Sequence, residues 1–550
     1  MVGNFIERFK AWGLRHPYWM LTLVTIAVLA PFLAKPFNLD DPCYIWVAKH
    51  ILAHPADPYG FEVNWYGFTQ SMWQVTQNPP LISYYLALMS CVFGWSEIGL
   101  HCACLLPAIM VVLGSYRLAE RFCRWPWLAA AATLFAPGFL VSSTTVMCDV
   151  SMLAFWVWAV IFWIEGIEHA SFKKMAAAAI LAALAILTKY NGICLLPLLV
   201  AYGLLAKRPV ARWGPLLLIP AAVFLAYEWI TLQLYGQALF STAARYAKSA
   251  QAAYGISKII TSMNALTFIG GCFAMALFCS PFLWRRKVWL TFFLGAAGFM
   301  FLALVGGEIV KNYSWLNGQT ILLTEAQILI WTAGGVCVLA LAVADVWRTR
   351  EPGAYLLAFW VLGVFAFAAL FNWTVNARSI LPMAPAVAIL IARRFEQTRL
   401  TLPAGIYFPI MASAVLSFAS AQADFQMANV TRITAGQFCT KFATLPGRVW
   451  FEGHWGFQYY MQSFGAWPLD ANASKLQAGD FLIIPEQNSS SPLPTGGKLT
   501  CLETVEAPRL AWFATMDPAI GAGFYSSLWG PLPIAFGRTT PEKYIIYGLK

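Results

Sequence analysis

The sequence predicts a multi-span α-helical membrane protein of about thirteen transmembrane helices, followed by a water-exposed C-terminal α/β domain. Three observations carry that expectation. Of the 550 residues, 60% are hydrophobic and 11% charged, whereas soluble domains carry roughly 25% charged and about 45–50% apolar residues. Apolar runs near the length needed to cross a bilayer, about 20 residues, recur along most of the chain. After residue 422 the composition changes, and charged and turn-forming residues become common.

The first apolar run, Tyr18–Phe37, follows Arg8, Lys10 and Arg15. That order resembles a leader, but the run is long enough to span and lacks a small-residue cleavage site, so it reads as an uncleaved first helix. Further spans are expected at 98–116, 126–143, 150–167, 175–188, 191–206, 214–235, 260–283, 288–307, 323–346, 354–373, 379–392 and 402–421. Leu81–Trp95 is apolar but short, opened by Pro79 and Pro80 and closed by Gly94. Counting it as a span would flip every later loop and reverse the bias of Lys and Arg. Counting it as juxtamembrane puts Arg117/Arg121/Arg124, Lys173/Lys174, Lys207/Arg208/Arg212, Arg285/Arg286/Lys287 and Arg393/Arg394/Arg399 on the side of the N-terminus. The positive-inside rule then makes that side cytoplasmic. The external parts are a loop over 38–97, Gly236–Lys258, Lys311–Tyr313, the turn at Asn376–Arg378, and the C-terminus. Residues 1–421 are thus expected to form the membrane domain and 422–550 an external domain. Strands are expected there at Arg448–Phe451, Phe481–Pro485 and Tyr544–Tyr547, and a loop at Asn488–Pro494.

The net charge of +11 is spread over short loops and forms no nucleic-acid stripe. The 25 Trp suit a protein with many membrane–water interfaces. The 12 Cys form no metal-ligand array, and a Cys439–Cys501 disulfide is left open. His50 and His54 lie four apart on an expected amphipathic helix and read as interfacial structure in preference to ligands.

Unusual residues gather at the external ends of the spans. Asp40 and Asp41 follow the first span; adjacent carboxylates at a membrane edge repel each other, which suits a general base, or simply a polar helix end. Asp149 interrupts Val141–Trp163, a stretch otherwise without charge. A carboxylate at membrane depth is costly and points to function, unless it lies in a loop between spans. Lys189 stands between two apolar runs, as a phosphate ligand or a snorkelling anchor. Arg378 opens the twelfth span, as a phosphate fork or a helix-end anchor. Together these put carboxylates and cations on one face, with no comparable set expected on the other.

The residues resemble a family. An acidic pair after the first helix (Asp40-Asp41), Asn78-Pro79-Pro80-Leu81 followed by Tyr84-Tyr85, an acidic Asp149 between the third and fourth spans, Leu187–Gly192, and Arg378 with Pro382 and Pro385 occur in order. They make the chain similar to GT-C glycosyltransferases, nearest the protein O-mannosyltransferase and aminoarabinose-transferase group of family 39. The resemblance covers residues 1 to about 400. It implies a polyprenyl-phosphate sugar donor and an acceptor hydroxyl of a lipid, protein or polysaccharide. Asp41 or Asp40 would act as base, and Asp149 would orient the acceptor, the base or a cation. Lys189 and Arg378 would hold the donor phosphate. Asn78 stands where relatives often carry His or Lys, so it would contribute a hydrogen bond in place of a charge. The resemblance leaves room for a divalent metal without requiring one. It implies a multi-pass protein of a bacterial inner membrane, with the C-terminus periplasmic.

Two other readings compete. A transporter or flippase of lipid-linked saccharides would need polar residues deep in several spans, which are largely apolar here. An ancillary envelope-binding protein would tolerate replacement of Asp40, Asp41 and Asp149.

Overall fold

The computed structural model describes residues 13, 15–305, 313, 318–398, 404–488 and 499–549. Arg8, Lys10, Lys311 and Arg399, and residues 489–494 of the expected Asn488–Pro494 loop, lie outside the described residues. The chain is mostly helical, and helix occupies each of the thirteen segments expected to span. Five helices are long and apolar enough to cross a membrane by length and composition: Glu97–Phe122, Asp149–Glu168, Val210–Tyr235, Leu322–Thr349 and Pro352–Phe371. Lys258–Cys272 and Met275–Leu283 pass the same test together but meet at 82°. Pro17–Phe32, Leu81–Phe93 and Tyr190–Leu205 are shorter apolar helices.

Local chemistry sets many helix ends. Pro17, Pro126, Pro137 and Pro352 sit in first turns, where the missing N–H costs no hydrogen bond. Ser96 caps Glu97–Phe122 by accepting from the Gly99 N–H at 3.1 Å. Gly236, at φ +66, ends Leu218–Tyr235 in the left-handed conformation that a side chain would oppose. Leu81–Phe93 has 13 residues. That is about 20 Å of helix, short of the roughly 30 Å hydrocarbon thickness.

The helices share one continuous core. Trp156 stacks on Trp360 with centroids 6.0 Å apart, and the Trp360 indole N–H donates to the Pro382 carbonyl at 2.8 Å. The large rings fill the interior; the Trp360 N–H is satisfied there, whereas the buried Trp156 N–H finds no acceptor.

One expectation is corrected. Charged groups do assemble away from the Asp40–Asp149 end. Asp149 opens helix Asp149–Glu168 and Glu165 lies in its last turn. There Glu165 meets Arg117 at 3.0 Å and Lys174 at 2.5 Å. Asp345 near the end of Gly318–Thr349 pairs with Arg393 at 3.0 Å, and Gln397 donates to it at 2.7 Å. These sets are hydrogen-bonded within themselves, a pattern that pins helices together.

The C-terminal part is rich in β-structure. Strands 467–468, 449–451, 481–485, 542–549 and 499–507 form a five-stranded sheet in that order. The first three are parallel and the last two join antiparallel. The expected boundary at 421/422 falls inside a single helix, Tyr407–Phe442. Its end packs Phe438 and Phe442 against Phe451, Phe457 and Tyr544 of the sheet region. Residues around 513–535 return to the helices: Phe513, Ile520, Phe524 and Ile534 belong to the main core. Cys439 and Cys501 are free thiols.

Arg393→Leu would leave the buried Asp345 carboxylate uncompensated, at a cost of about 3–5 kcal/mol. Thermal unfolding in detergent should show a clear loss of stability, and the double variant Arg393→Leu/Asp345→Asn should recover much of it.

Candidate active site

Four segments far apart in sequence bring polar groups to one cavity of about 850 Å³. Asp40, Asn78, Lys189 and Arg378 all line it. Asp40 directly precedes helix Asp41–Ala53 and keeps a partly exposed carboxylate. Arg378 is presented by the short helix Ala377–Ile380, whose capping box joins Asn376 and Ser379. The Ser379 N–H donates to Asn376 Oδ1 at 2.7 Å. The Arg378 guanidinium donates to Asp40 Oδ2 at 2.8 Å and lies 5.6 Å from the Tyr525 ring centroid. Its Nε, buried, finds no acceptor.

Lys189 sits in an extended residue, φ −156, between Phe172–Thr188 and the helical turn Tyr190–Cys194. Its Nζ donates to Asp149 Oδ1 at 2.5 Å. Asp149 is 2% exposed and does not line the cavity. It occupies the first turn of its helix, where the positive end of the helix dipole favours an anion. Its contribution to the site therefore passes through Lys189.

Asp41 departs from its expected place beside Asp40 on the cavity wall. Fully buried, it accepts from the Asn38 and Val146 backbone N–H groups, each at 3.0 Å. Those bonds tie the first external loop to the turn before Asp149. Burial pushes its carboxyl up to about 7, against the lowering pull of Lys35 and the two N–H groups. The two N–H groups that Asp41 meets hold its carboxylate inside the protein, while Asp40, one residue earlier, lines the cavity.

Asn78 donates weakly to the Tyr44 hydroxyl at 3.4 Å. Its backbone carbonyl accepts from the Tyr59 hydroxyl. Tyr44 and Tyr525 also line the cavity and escaped the sequence reading. Tyr44 follows Asp40 by four residues at the start of one helix, so the i,i+4 spacing was a usable signal. Tyr525 offered none, since it arrives from a loop almost 500 residues away. Its hydroxyl donates to Asp424 at 2.9 Å. Asp424 in turn pairs with Lys35, and both are buried.

His50 and His54 pack with tilted rings, centroids 4.7 Å apart, on and just beyond Asp41–Ala53. Among the described residues no group of three or more His, Cys, Asp or Glu stands together as a metal site. Asp40 and Asp149 each already hold a cation. The donor set therefore does not fit a divalent ion.

Residues 77–231 match the family model described as dolichyl-phosphate-mannose-protein mannosyltransferase. The segment contains Asn78-Pro79-Pro80-Leu81, Asp149 and Leu187–Gly192, so the resemblance carried by those motifs is borne out there. No curated protein matches the chain. The fold is similar to the oligosaccharyltransferase of Archaeoglobus fulgidus in the apo form, at 12% identity and TM-score 0.44, over 82% of this chain and 64% of that one. The chain thus spans less than two thirds of the archaeal protein's length. It is also similar to ArnT from Cupriavidus metallidurans bound to undecaprenyl phosphate, at 14% identity and TM-score 0.43, over 97% and 98% of the two chains. A third similar structure is the arabinofuranosyltransferase AftD from Mycobacteria, at 13% identity and TM-score 0.44, over 97% of this chain and 40% of that one.

The Asp41 geometry carries a pH signature. A carboxyl held more basic in the folded state contributes most stability when protonated. Stability should fall as pH rises from about 4 through about 7. Thermal midpoints across that range should decline in the wild type and decline less in Asp41→Asn.

Proposed function

We propose that this chain is a membrane glycosyltransferase that moves a sugar from a polyprenyl-phosphate donor to an acceptor hydroxyl at the outer face of the membrane. The observation that carries the reading is the cavity's division of chemistry. At one end Arg378 and Lys189 supply positive charge beside the Asp40 carboxylate. Another part of the lining is Leu370 and Phe371, which are exposed apolar side chains. A donor with a hydrocarbon tail and an anionic phosphosugar needs both surfaces side by side. The family-model match over 77–231, whose description names a dolichyl-phosphate sugar, supports the same donor chemistry.

In this reading the tail lies along the apolar lining, and the phosphate meets Lys189 and the cavity-facing part of the Arg378 guanidinium. A guanidinium has five donors in a fixed fork, so Arg378 can hold Asp40 and a phosphate oxygen together. The acceptor hydroxyl approaches Asp40. Its oxygen bonds to the anomeric carbon as the bond from that carbon to the phosphate oxygen breaks. The proton passes to Asp40, and the lipid phosphate leaves as an anion stabilised by fixed positive charge. Asp149 holds Lys189 in position, Asp41 braces the loop that presents Asp40, and Asn78 adds a neutral hydrogen bond. The wider assignment goes with it: about thirteen spans, a membrane domain over 1–421, a periplasmic part over 422–550, a cytoplasmic N-terminus and a bacterial inner membrane.

Purified protein supplied with a radiolabelled polyprenyl-phosphate sugar tests the reading. Asp40→Asn should reduce transfer by roughly 10²–10⁴-fold, the usual worth of general-base help, with the protein still folded despite some loss of stability from unpairing Arg378. Asp149→Asn should lower turnover by loosening Lys189. Full activity in Asp40→Asn would refute the assignment of the base.

A further inference from the structure

Asp40, Arg378 and Lys189 are only part of the cavity lining. Gln74, Gln77, Asn191, Gln251 and Asn372 also line it. A side-chain amide carries donor and acceptor groups at a fixed spacing and no charge, although the NH2 of Gln251 is already used within the protein. Lys248 is the further charged residue in the lining.

Aromatic rings stand among these amides. Tyr66, Tyr246 and Trp373 line the cavity, and Tyr66 and Tyr246 are 43% and 52% exposed. Their positions are built into the fold. Helix Leu239–Tyr254 is tied down by Gln251, whose amide donates to the Phe371 and Asn372 carbonyls at 3.1 and 2.8 Å. That anchor sets Tyr246 edge-on to Trp373, centroids 5.8 Å apart. Tyr254 stacks on Trp373 at 6.2 Å. Tyr66 comes from the turn of the hairpin pairing 62–64 with 69–71. The hairpin is braced on the C-terminal part: the Ala471 N–H donates to the Gly67 carbonyl at 2.8 Å, and the Thr69 N–H to Asp470 at 2.8 Å. His454 packs on the Tyr66 ring at 6.1 Å. Burial first, then Tyr246 and Asp40, raise the Tyr66 phenol, so this ring stands within electrostatic reach of the carboxylate.

A surface of fixed aromatic faces and neutral amides matches one ligand chemistry above others. A sugar ring has an apolar C–H face that stacks on an aromatic ring, and vicinal hydroxyls that a side-chain amide can bridge. An anionic glycolipid would call for further cations in this wall. The volume of about 850 Å³ lies in the upper part of the roughly 300–1,000 Å³ range of pockets for drug-sized ligands, so a second ring fits beside a donor sugar.

We infer that Tyr66, Tyr246, Trp373 and the neighbouring amides form the acceptor subsite, and that the acceptor is a hydroxyl of a neutral saccharide. The inference rests on the donor reading above and names the other substrate. The saccharide oxygen forms the new bond to the donor's anomeric carbon, its proton goes to Asp40, and the lipid phosphate departs.

Two measurements on the full chain in lipid nanodiscs test it. The first is calorimetric binding of short neutral manno-, gluco- and galacto-oligosaccharides without donor. At least one should bind. Trp373→Ala should weaken it about tenfold, equivalent to about 1.4 kcal/mol, and Trp373→Phe should restore most of the loss. Tyr66→Ala should weaken it likewise, which keeps the test decisive if Trp373→Ala fails to fold. The second is transfer of label from a polyprenyl-phosphate sugar, offered the bound oligosaccharide or a Ser/Thr-rich peptide. Label on the saccharide, with a raised KM in Trp373→Ala, supports the inference. Saccharide binding without transfer to any acceptor supports the subsite and overturns the donor reading. Transfer to the peptide alone, or no saccharide binding, overturns the inference and leaves the donor reading standing.

Discussion

A charge removed from water costs several kcal/mol unless an opposite charge and hydrogen bonds meet it, and this chain obeys that constraint with pairs that join distant segments. Lys35 meets Asp424, Lys189 meets Asp149, and Arg393 meets Asp345. Each pair links elements from different parts of the chain. The apolar helices can pack in many rotations, since one greasy face resembles another. A buried carboxylate is less tolerant, because only one arrangement delivers its cation. The pairs therefore decide how the helices are turned, and the cavity is where the turning leaves a gap.

The Lys35–Asp424 pair shows how far such a contact reaches. Lys35 stands near the end of the first helix and Asp424 inside Tyr407–Phe442. Asp424 also accepts from the Thr515 and Tyr525 hydroxyls at 3.2 and 2.9 Å. Tyr525 then carries its ring beneath the Arg378 guanidinium. A chain of contacts thus runs from the first helix, through the last long helix and the C-terminal part, to the cation that grips Asp40. The C-terminal part is a wall of the cavity as well as a separate sheet, which explains why a single helix runs through the expected domain boundary.

Arg378 and Lys189 are each held by a carboxylate yet still face the cavity. A cation with no partner would be driven to shift its protonation or draw in water. A cation buried in a closed pair would be inert. Asp40 and Asp149 hold an intermediate state, positioned but with donor capacity left over, and fixed donors of that kind need little reorganisation when a phosphate develops charge.

How much of this was legible in the sequence follows from the range of the interactions involved. Hydropathy is a local property, so the helical segments could be read directly, and helix lies in each. Strand propensity is local too, and Phe481–Pro485 was read to the residue. The acidic pair, Asp149, Lys189 and Arg378 stood out because charge is rare in apolar surroundings, so rarity itself carried the signal. What the sequence could not divide was Asp40 from Asp41: both are acidic and adjacent, and only the packed turn turns one to the cavity and the other to the Asn38 and Val146 N–H groups. Nor could it pair Asp345 with Arg393, or bring Tyr525, Tyr66 and Trp373 to one wall. Composition and periodicity report what each segment buries, whereas which charge meets which depends on a three-dimensional arrangement that no local pattern encodes.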